Sequence, residues 1–165
     1  MAGRPLPMAA APTLPQGLSL THYQDAEVAS QFSMLARLGA DVLTQFDPDV
    51  LSKRFRRYSG WALHLVATQD AKPVAFKLGH AEGESAFYSW LGGVAPDWRG
   101  HGLAAALMQA QHEWARAQGY RKVTTRTRKD NARMAQINLA AGFVETGLLT
   151  KDDGRVMRCF VKSLV

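Results

Sequence analysis

Cysteine is nearly absent. The chain carries one, Cys159, among 165 residues. A single thiol closes no internal disulfide and builds no cysteine-based zinc site, and it suits a reducing compartment. A cytoplasmic location is the expectation. The five histidines are scattered and never take a metal-ligand spacing with one another, so no metal is expected. No run of about 18 apolar residues exists, so a membrane-spanning helix is not expected. No internal repeat is visible. Residues 1–16 hold Pro5, Pro7, Pro12 and Pro15 among alanines. The prolines preclude a continuous helix, and this short, broken stretch makes a poor secretory signal. It reads as a flexible Pro/Ala-rich tail. That leaves 17–165 as a single domain, long enough for a real core.

The charge is not balanced. A net charge of +6 raises the question of nucleic acid or an acidic membrane. Two clusters carry much of it, Lys53-Arg54-Phe55-Arg56-Arg57 and Arg121 through Arg133. The first reads as a solvated helix face. The second lies beside a glycine turn, where a phosphate-rich ligand explains it more economically than a nucleic acid.

Periodicity supplies the framework. Leu18 to His22 alternates as a strand. Asp25 heads a helix with Val28, Phe32, Leu35 and Leu38 inward, and Gly39 is its stop. Asp47-Pro48 opens another helix, ended by Ser59-Gly60. Trp61–Thr68, Val74–His80 and Phe87–Leu91 read as three strands joined by short turns, an antiparallel meander. Leu103, Leu107, Ala110 and Trp114 share one helix face. Val123–Thr127 is β-branched and strand-like, and it completes a parallel β-α-β unit with the strand and helix before it. A helix over 132–141 and a hairpin around Lys151–Gly154 close the chain.

The central stretch is Val94-Ala95-Pro96-Asp97-Trp98-Arg99-Gly100-His101-Gly102-Leu103-Ala104. Glycines at 100 and 102 let the backbone turn sharply and approach a ligand. The first N–H groups of the following helix have no partner inside it, and they point outward with the positive end of the helix dipole. That arrangement suits a phosphate or pyrophosphate. Arg99 adds a fixed, forked charge.

Val-x-Pro-x-x-Arg-Gly-x-Gly-Leu-Ala resembles the acetyl-CoA signature of the GNAT N-acetyltransferase superfamily. A second block, Asn131 through Ala141-Gly142-Phe143, is similar to that family's later motif. The resemblance covers most of residues 18–164. It implies an α/β (α+β) fold: a mixed, mostly antiparallel sheet of about seven strands, helices on both faces, and one parallel β-α-β unit at the cofactor site. It implies an N-acetyltransferase that passes acetyl, or another acyl group, from acetyl-CoA to a primary amine by direct attack in a ternary complex. The cofactor-binding set it implies is Gly92, Gly93, Val94, Arg99, Gly100, His101, Gly102, Leu103, Ala104 and Asn131. Gly92-Gly93 would let their strand bulge and splay from its parallel neighbour, freeing backbone N–H groups to stabilise an oxyanion.

The catalytic residues are less sharply marked. The family often places a carboxylate on or near the central strand, where this chain has Tyr88, Ser89 and Trp90. Glu84, Glu82 and His80 lie just upstream; each reads as a solvated turn residue or as the base, and Glu84 is carried forward. Tyr88 and Trp90 share one face as core or cleft lining, with Tyr88 the alternative acid. Asn138 stands where the family commonly has a tyrosine that protonates the departing thiolate. An amide donates a hydrogen bond but no proton of that kind. The acceptor is a small-molecule or peptide amine. The segment Gly39–Phe46, with Asp41 and Phe46, would suit a cationic one. A homodimer is left open. Two other readings stand beside this one. The first is a non-catalytic module for acyl-CoA or nucleic acid. The second is a dinucleotide enzyme, since Gly100-x-Gly102-x-x-Ala105 satisfies a loose pattern.

Overall fold

The alternating patterns above fold onto one sheet in the computed structural model, which describes residues 4–5 and 13–165. In chain order the elements are β1 (Arg4–Pro5), β2 (Leu18–Gln24), α1 (Ala26–Ala29), α2 (Phe32–Val42), α3 (Pro48–Arg57), β3 (Ala62–Thr68), β4 (Pro73–Glu82), β5 (Ala86–Val94), α4 (Leu103–Ala117), β6 (Lys122–Arg128), α5 (Ala132–Ala140), β7 (Val144–Thr150) and β8 (Val156–Ser163). The sheet runs β1-β2-β3-β4-β5-β6-β8-β7. Among the described residues β5 and β6 are its one parallel pair; the other neighbours are antiparallel. The expected mixed sheet of about seven strands is there, with two-residue β1 as an eighth. Most of the expected tail lies outside the described residues. Within it, Arg4 and Pro5 pair with His22 and Thr21.

Strand alternation sends side chains to two apolar layers. On β3, Leu63 and Leu65 join Val28, Leu35, Leu38 and Leu51 under α1–α3. Ala62 and Val66 face the other way, toward α4 and its Leu103, Leu107, Ala110 and Trp114. Helices therefore cover both faces. Beneath α4 the same alternation places His22, His64 and Lys77 directly opposite one another on β2, β3 and β4. His64 is fully buried, and its ring meets the edge of Trp114 at 5.8 Å.

Three local expectations change. The helix expected from Asp25 to Gly39 is two helices, α1 and α2, and the Asp25 side chain makes no cap hydrogen bond. Gly39 does not stop α2; it is buried within it, because a Cβ there would lie 2.9 Å from the Phe46 ring. The bulge is at Trp90 rather than at Gly92-Gly93: Leu78 pairs with Leu91 and Gly79 with Ser89, leaving Trp90 as the extra residue. Gly93 has a different task. A Cβ there would come within 2.6 Å of Val42, so its absence lets the end of α2 rest on β5.

Candidate functional site

The parallel pairing of β5 and β6 is short. It runs over Ala86–Lys122, Phe87–Val123 and Tyr88–Thr124, and then the strands part. The hydroxyl of Thr125 donates to the Ser89 carbonyl at 2.9 Å, bridging the start of the opening. So the expected splay occurs, with the Trp90 bulge just beyond the fork.

β5 leads into a 3₁₀ turn at Pro96–Trp98 and then the glycine turn. Gly100 and Gly102 have φ of +80° and +78°, and a Cβ on either would meet nothing within 4 Å. Positive φ explains why glycine is there, and the empty surroundings leave the backbone approachable. Gly102 is the N-cap of the 15-residue α4. The helix ladder begins with the Ala106 N–H donating to the Gly102 carbonyl. The N–H groups of Leu103, Ala104 and Ala105 therefore face outward without an intrahelical acceptor. Arg99 is exposed, and its Nε donates to the Val94 carbonyl at 3.1 Å, which holds its guanidinium at the end of β5. His101 Nδ1 lies 3.0 Å and 3.1 Å from the carbonyls of Arg99 and Trp98, so Nδ1 carries the proton and Nε2 is left outward.

The second motif borders the same opening. Asn131 is exposed and caps α5, its side chain accepting from the Met134 N–H at 3.1 Å. Ala135 and Asn138 are the buried residues of α5 and face the sheet together. Asn138 Nδ2 is buried without a partner, and so is Thr127 Oγ1 on β6. Thr127 lies on the same face of β6 as Val123, which packs with Ala135. Two orphaned polar atoms at one helix–sheet seam are a cost that a polar ligand entering the fork would relieve. With the open glycine turn, these residues fit a long molecule with a pyrophosphate at one end and an amide-bearing arm at the other.

The chain belongs to the GNAT acetyltransferase family. The family model, Acetyltransferase (GNAT) family, matches residues 34–143, so the protein is an acetyltransferase that uses acetyl-CoA. No curated protein matches the chain by sequence. Solved structures share the fold at low identity. Ard1 from Thermoplasma volcanium superposes with a TM-score of 0.71 at 19% identity, over 90% of this chain and 99% of that one. The ribosomal-protein-S18-alanine N-acetyltransferase from Escherichia coli gives 0.71 at 14%, over 89% and 94%. A point mutant of the SpeG spermidine N-acetyltransferase from Vibrio cholerae gives 0.67 at 12%, over 91% and 95%. The dinucleotide reading falls with the family. The described residues contain no group of three or more His, Cys, Asp or Glu able to hold a metal ion, and no helix among them is long and apolar enough to cross a membrane.

Across the fork from α4, under α2 and α3, this acetyltransferase carries a second set of polar side chains. Tyr88 stands at the last parallel pair. Opposite it on β4 is His80, which is 1% exposed; it is a core residue and not the solvated turn residue expected from sequence. His80 Nε2 lies 2.8 Å from Arg54 Nη2 and its Nδ1 lies 2.8 Å from the Ala81 carbonyl. Arginine only donates, so Nε2 accepts, Nδ1 holds the proton and the ring is neutral. Burial, helped by the charges of Arg54 and Arg126, pushes the His80 pKa down, against the Ala81 hydrogen bond and Glu82. With both nitrogens engaged, His80 is not free to act as a base. Burial also raises the Tyr88 pKa against the pull of Arg126 and Arg54, keeping a phenol rather than a phenolate.

The two glutamates separate. Glu84 is exposed in the β4–β5 turn, at the end of β5 away from Val94. Glu82 reaches across β5 to the fork, where it accepts from Thr124 Oγ1 at 3.1 Å and from Arg126 Nη2 at 3.4 Å. Sequence spacing alone does not separate them, since neither lies on β5; only the cross-strand register brings Glu82 to the fork.

Proposed function

We propose that this acetyltransferase transfers acetyl from acetyl-CoA to a primary amine by direct attack in a ternary complex, in the cytoplasm. The observation that carries the reading is the parting of β5 and β6 after Tyr88 and Thr124, directly beside the open amide end of α4. The names of two fold neighbours, a spermidine and a ribosomal-protein alanine N-acetyltransferase, support an amine as acceptor.

Each residue then has a task. Leu103, Ala104 and Ala105 offer backbone N–H groups to the pyrophosphate, with Arg99 as the fixed charge and Gly100 and Gly102 giving close approach. Val94, Gly92 and Gly93 form the strand edge along which the pantetheine arm lies. When bound, acetyl-CoA supplies the acetyl group as a thioester; the amine nitrogen bonds to the carbonyl carbon as the carbon–sulfur bond breaks. The proton lost by nitrogen goes through water to Glu82, the carboxylate at the fork. Backbone N–H groups on the open edge of β5 face the developing oxyanion. Asn138 Nδ2 is the donor for the sulfur, and Tyr88 is the nearby phenol. A thiol of pKa near 8.5 leaves tolerably with a hydrogen bond in place of full protonation.

The test is thermal unfolding with and without acetyl-CoA. Acetyl-CoA should raise the Tm of the wild type. Gly102→Val puts a β-branched side chain at φ +78° in the space the pyrophosphate needs, and should abolish that rise. A folded variant with a wild-type shift would place the donor site elsewhere.

A further inference from the structure

The wall of the fork opposite α4 is rich in cations, and not all of them are paired. Arg126 is paired with Glu82 at 3.4 Å, and Arg155 with Asp153 at 2.7 Å. Arg54 and Lys151 have no carboxylate within ion-pair distance among the described residues. Arg54 is also unusually constrained. Its guanidinium carbon lies 4.2 Å from the Trp90 ring centre and 4.8 Å from that of Tyr58. Nη2 is spent on His80 at 2.8 Å, and Nε is sealed from solvent without a partner. Nη1 makes no hydrogen bond among the described residues. A guanidinium held flat by two rings and aimed by a neutral histidine is a preorganised anion receptor with one free edge. Lys151, on the β7–β8 turn, lies within electrostatic reach of Arg155, Arg54 and Arg126, with Asp153 as the opposing carboxylate.

The same wall argues against a polycation. The pair expected from sequence to attract one is not assembled: Asp41 is exposed on α2, and Phe46 is packed against Gly39. Two uncompensated cations at the cleft would repel a diamine at close range. Among the described residues Glu82 is the one carboxylate bonded at the fork, where it pairs with Arg126; the guanidinium carbons of Arg54 and Arg126 lie 5.8 Å and 5.0 Å from the Tyr88 ring centre.

We propose that the acceptor is a small amine that also bears a carboxylate, its carboxylate held by Arg54 with Lys151 and its amine directed toward Glu82 at the fork. The proposal rests on the acetyltransferase reading for where the amine must stand, and it adds the charge of the rest of the molecule.

The test compares matched amines on the wild-type protein with acetyl-CoA: 4-aminobutyrate against 4-aminobutanamide, glutamate against glutamine, phosphoethanolamine against ethanolamine, and spermidine alone. The carboxylate member of each carboxylate pair should be favoured about tenfold or more in kcat/KM, as expected for one charge-assisted hydrogen bond at a partly exposed site. Arg54→Met should erase that preference by raising KM for the carboxylate member, with KM for acetyl-CoA unchanged. Lys151→Met, on a surface turn, should lower the preference severalfold and covers the case in which Arg54→Met fails to fold. Equal or reversed ratios, preference for spermidine, or a gain confined to phosphoethanolamine would overturn the proposal. So would silence toward every amine while acetyl-CoA still raises Tm, which leaves the donor site standing. Loss of the acetyl-CoA shift itself would instead sink the acetyltransferase reading.

Discussion

Acid should unfold this protein early, and two histidines at the seam between α4 and the sheet set the slope. His64 is fully buried and neither ring nitrogen has a partner. Burial, with the charges of His22, Lys77 and His112 added, pushes its pKa from 6.5 to about 3. His112 on α4 is pushed to about 3 as well, by burial and then by Lys162, whose Nζ lies 3.4 Å from its Nδ1. Both pKa values are depressed in the folded state. The unfolded chain therefore binds these protons first as pH falls. Stability is fully present above about pH 6.5 and is lost progressively down to about pH 3. Each pH unit in that window costs about 1.4 kcal/mol per histidine. At pH 5 the pair removes about 4 kcal/mol, against a typical total of about 5–15 kcal/mol. The assay is urea unfolding at pH 7, 6 and 5, on the wild type and on His64→Leu. The wild type should lose stability steeply between pH 6 and 5, and His64→Leu should lose about half as much. Equal slopes in the two proteins would refute the reasoning, because His64 would then not be held neutral by its surroundings.

Three further outcomes separate the roles assigned above. Asn138→Ala should cost little stability, since Nδ2 has no partner to lose, while kcat falls about tenfold or more from the loss of one donor to a forming thiolate; a wild-type kcat would remove Asn138 from the leaving group. Asn131→Ala should lower stability by about 1 kcal/mol through the lost cap to Met134, and a raised KM for acetyl-CoA would mark a cofactor contact beyond the cap, an unchanged one the cap alone. Glu82→Gln should lower kcat about a hundredfold with the acetyl-CoA thermal shift intact, whereas a loss no larger than that of Glu84→Gln would show that Glu82 does not take the proton.

Most of the scaffold was legible because it is written in local chemistry. Asp47 followed by Pro48 marks a helix start, and the Asp47 side chain does accept from the Asp49 N–H. The glycine turn and Asn131 announce two helix ends in the same way. The sheet was legible because alternation survives in β2 and the apolar runs of β3 and β5 are bounded by turns. What failed was what depends on register or on a distant neighbour. The Trp90 bulge comes from how β4 lines up against β5, which no spacing within β5 reveals. Gly39 looked like a helix stop, yet its missing side chain makes room for Phe46. His80 and Glu82 looked alike as turn residues. One is sealed between Tyr58 and Trp61, and the other spans two strands. The basic run at Lys53–Arg57 read as a solvated face, which holds for its exposed Lys53, Arg56 and Arg57. Arg54 alone turns inward, one turn from the helix end, and the rings that receive it come from β4, from β5 and from Tyr58, the residue that ends its own helix.

Strand β7 carries a consequence for handling the protein in solution. It ends the sheet, all seven of its residues are exposed, and Val144 and Leu148 stand 63% and 60% open to water. Its outer row of backbone groups is thus a template to which another strand can add. Long-range repulsion from the net charge of +6 opposes such pairing. That repulsion fades with a screening length of about 10 Å at 0.1 M salt and about 3 Å at 1 M. Concentrated salt, ordinarily a help to a basic protein, therefore lowers the barrier while leaving the sticky edge, and association through β7 should rise with salt rather than fall.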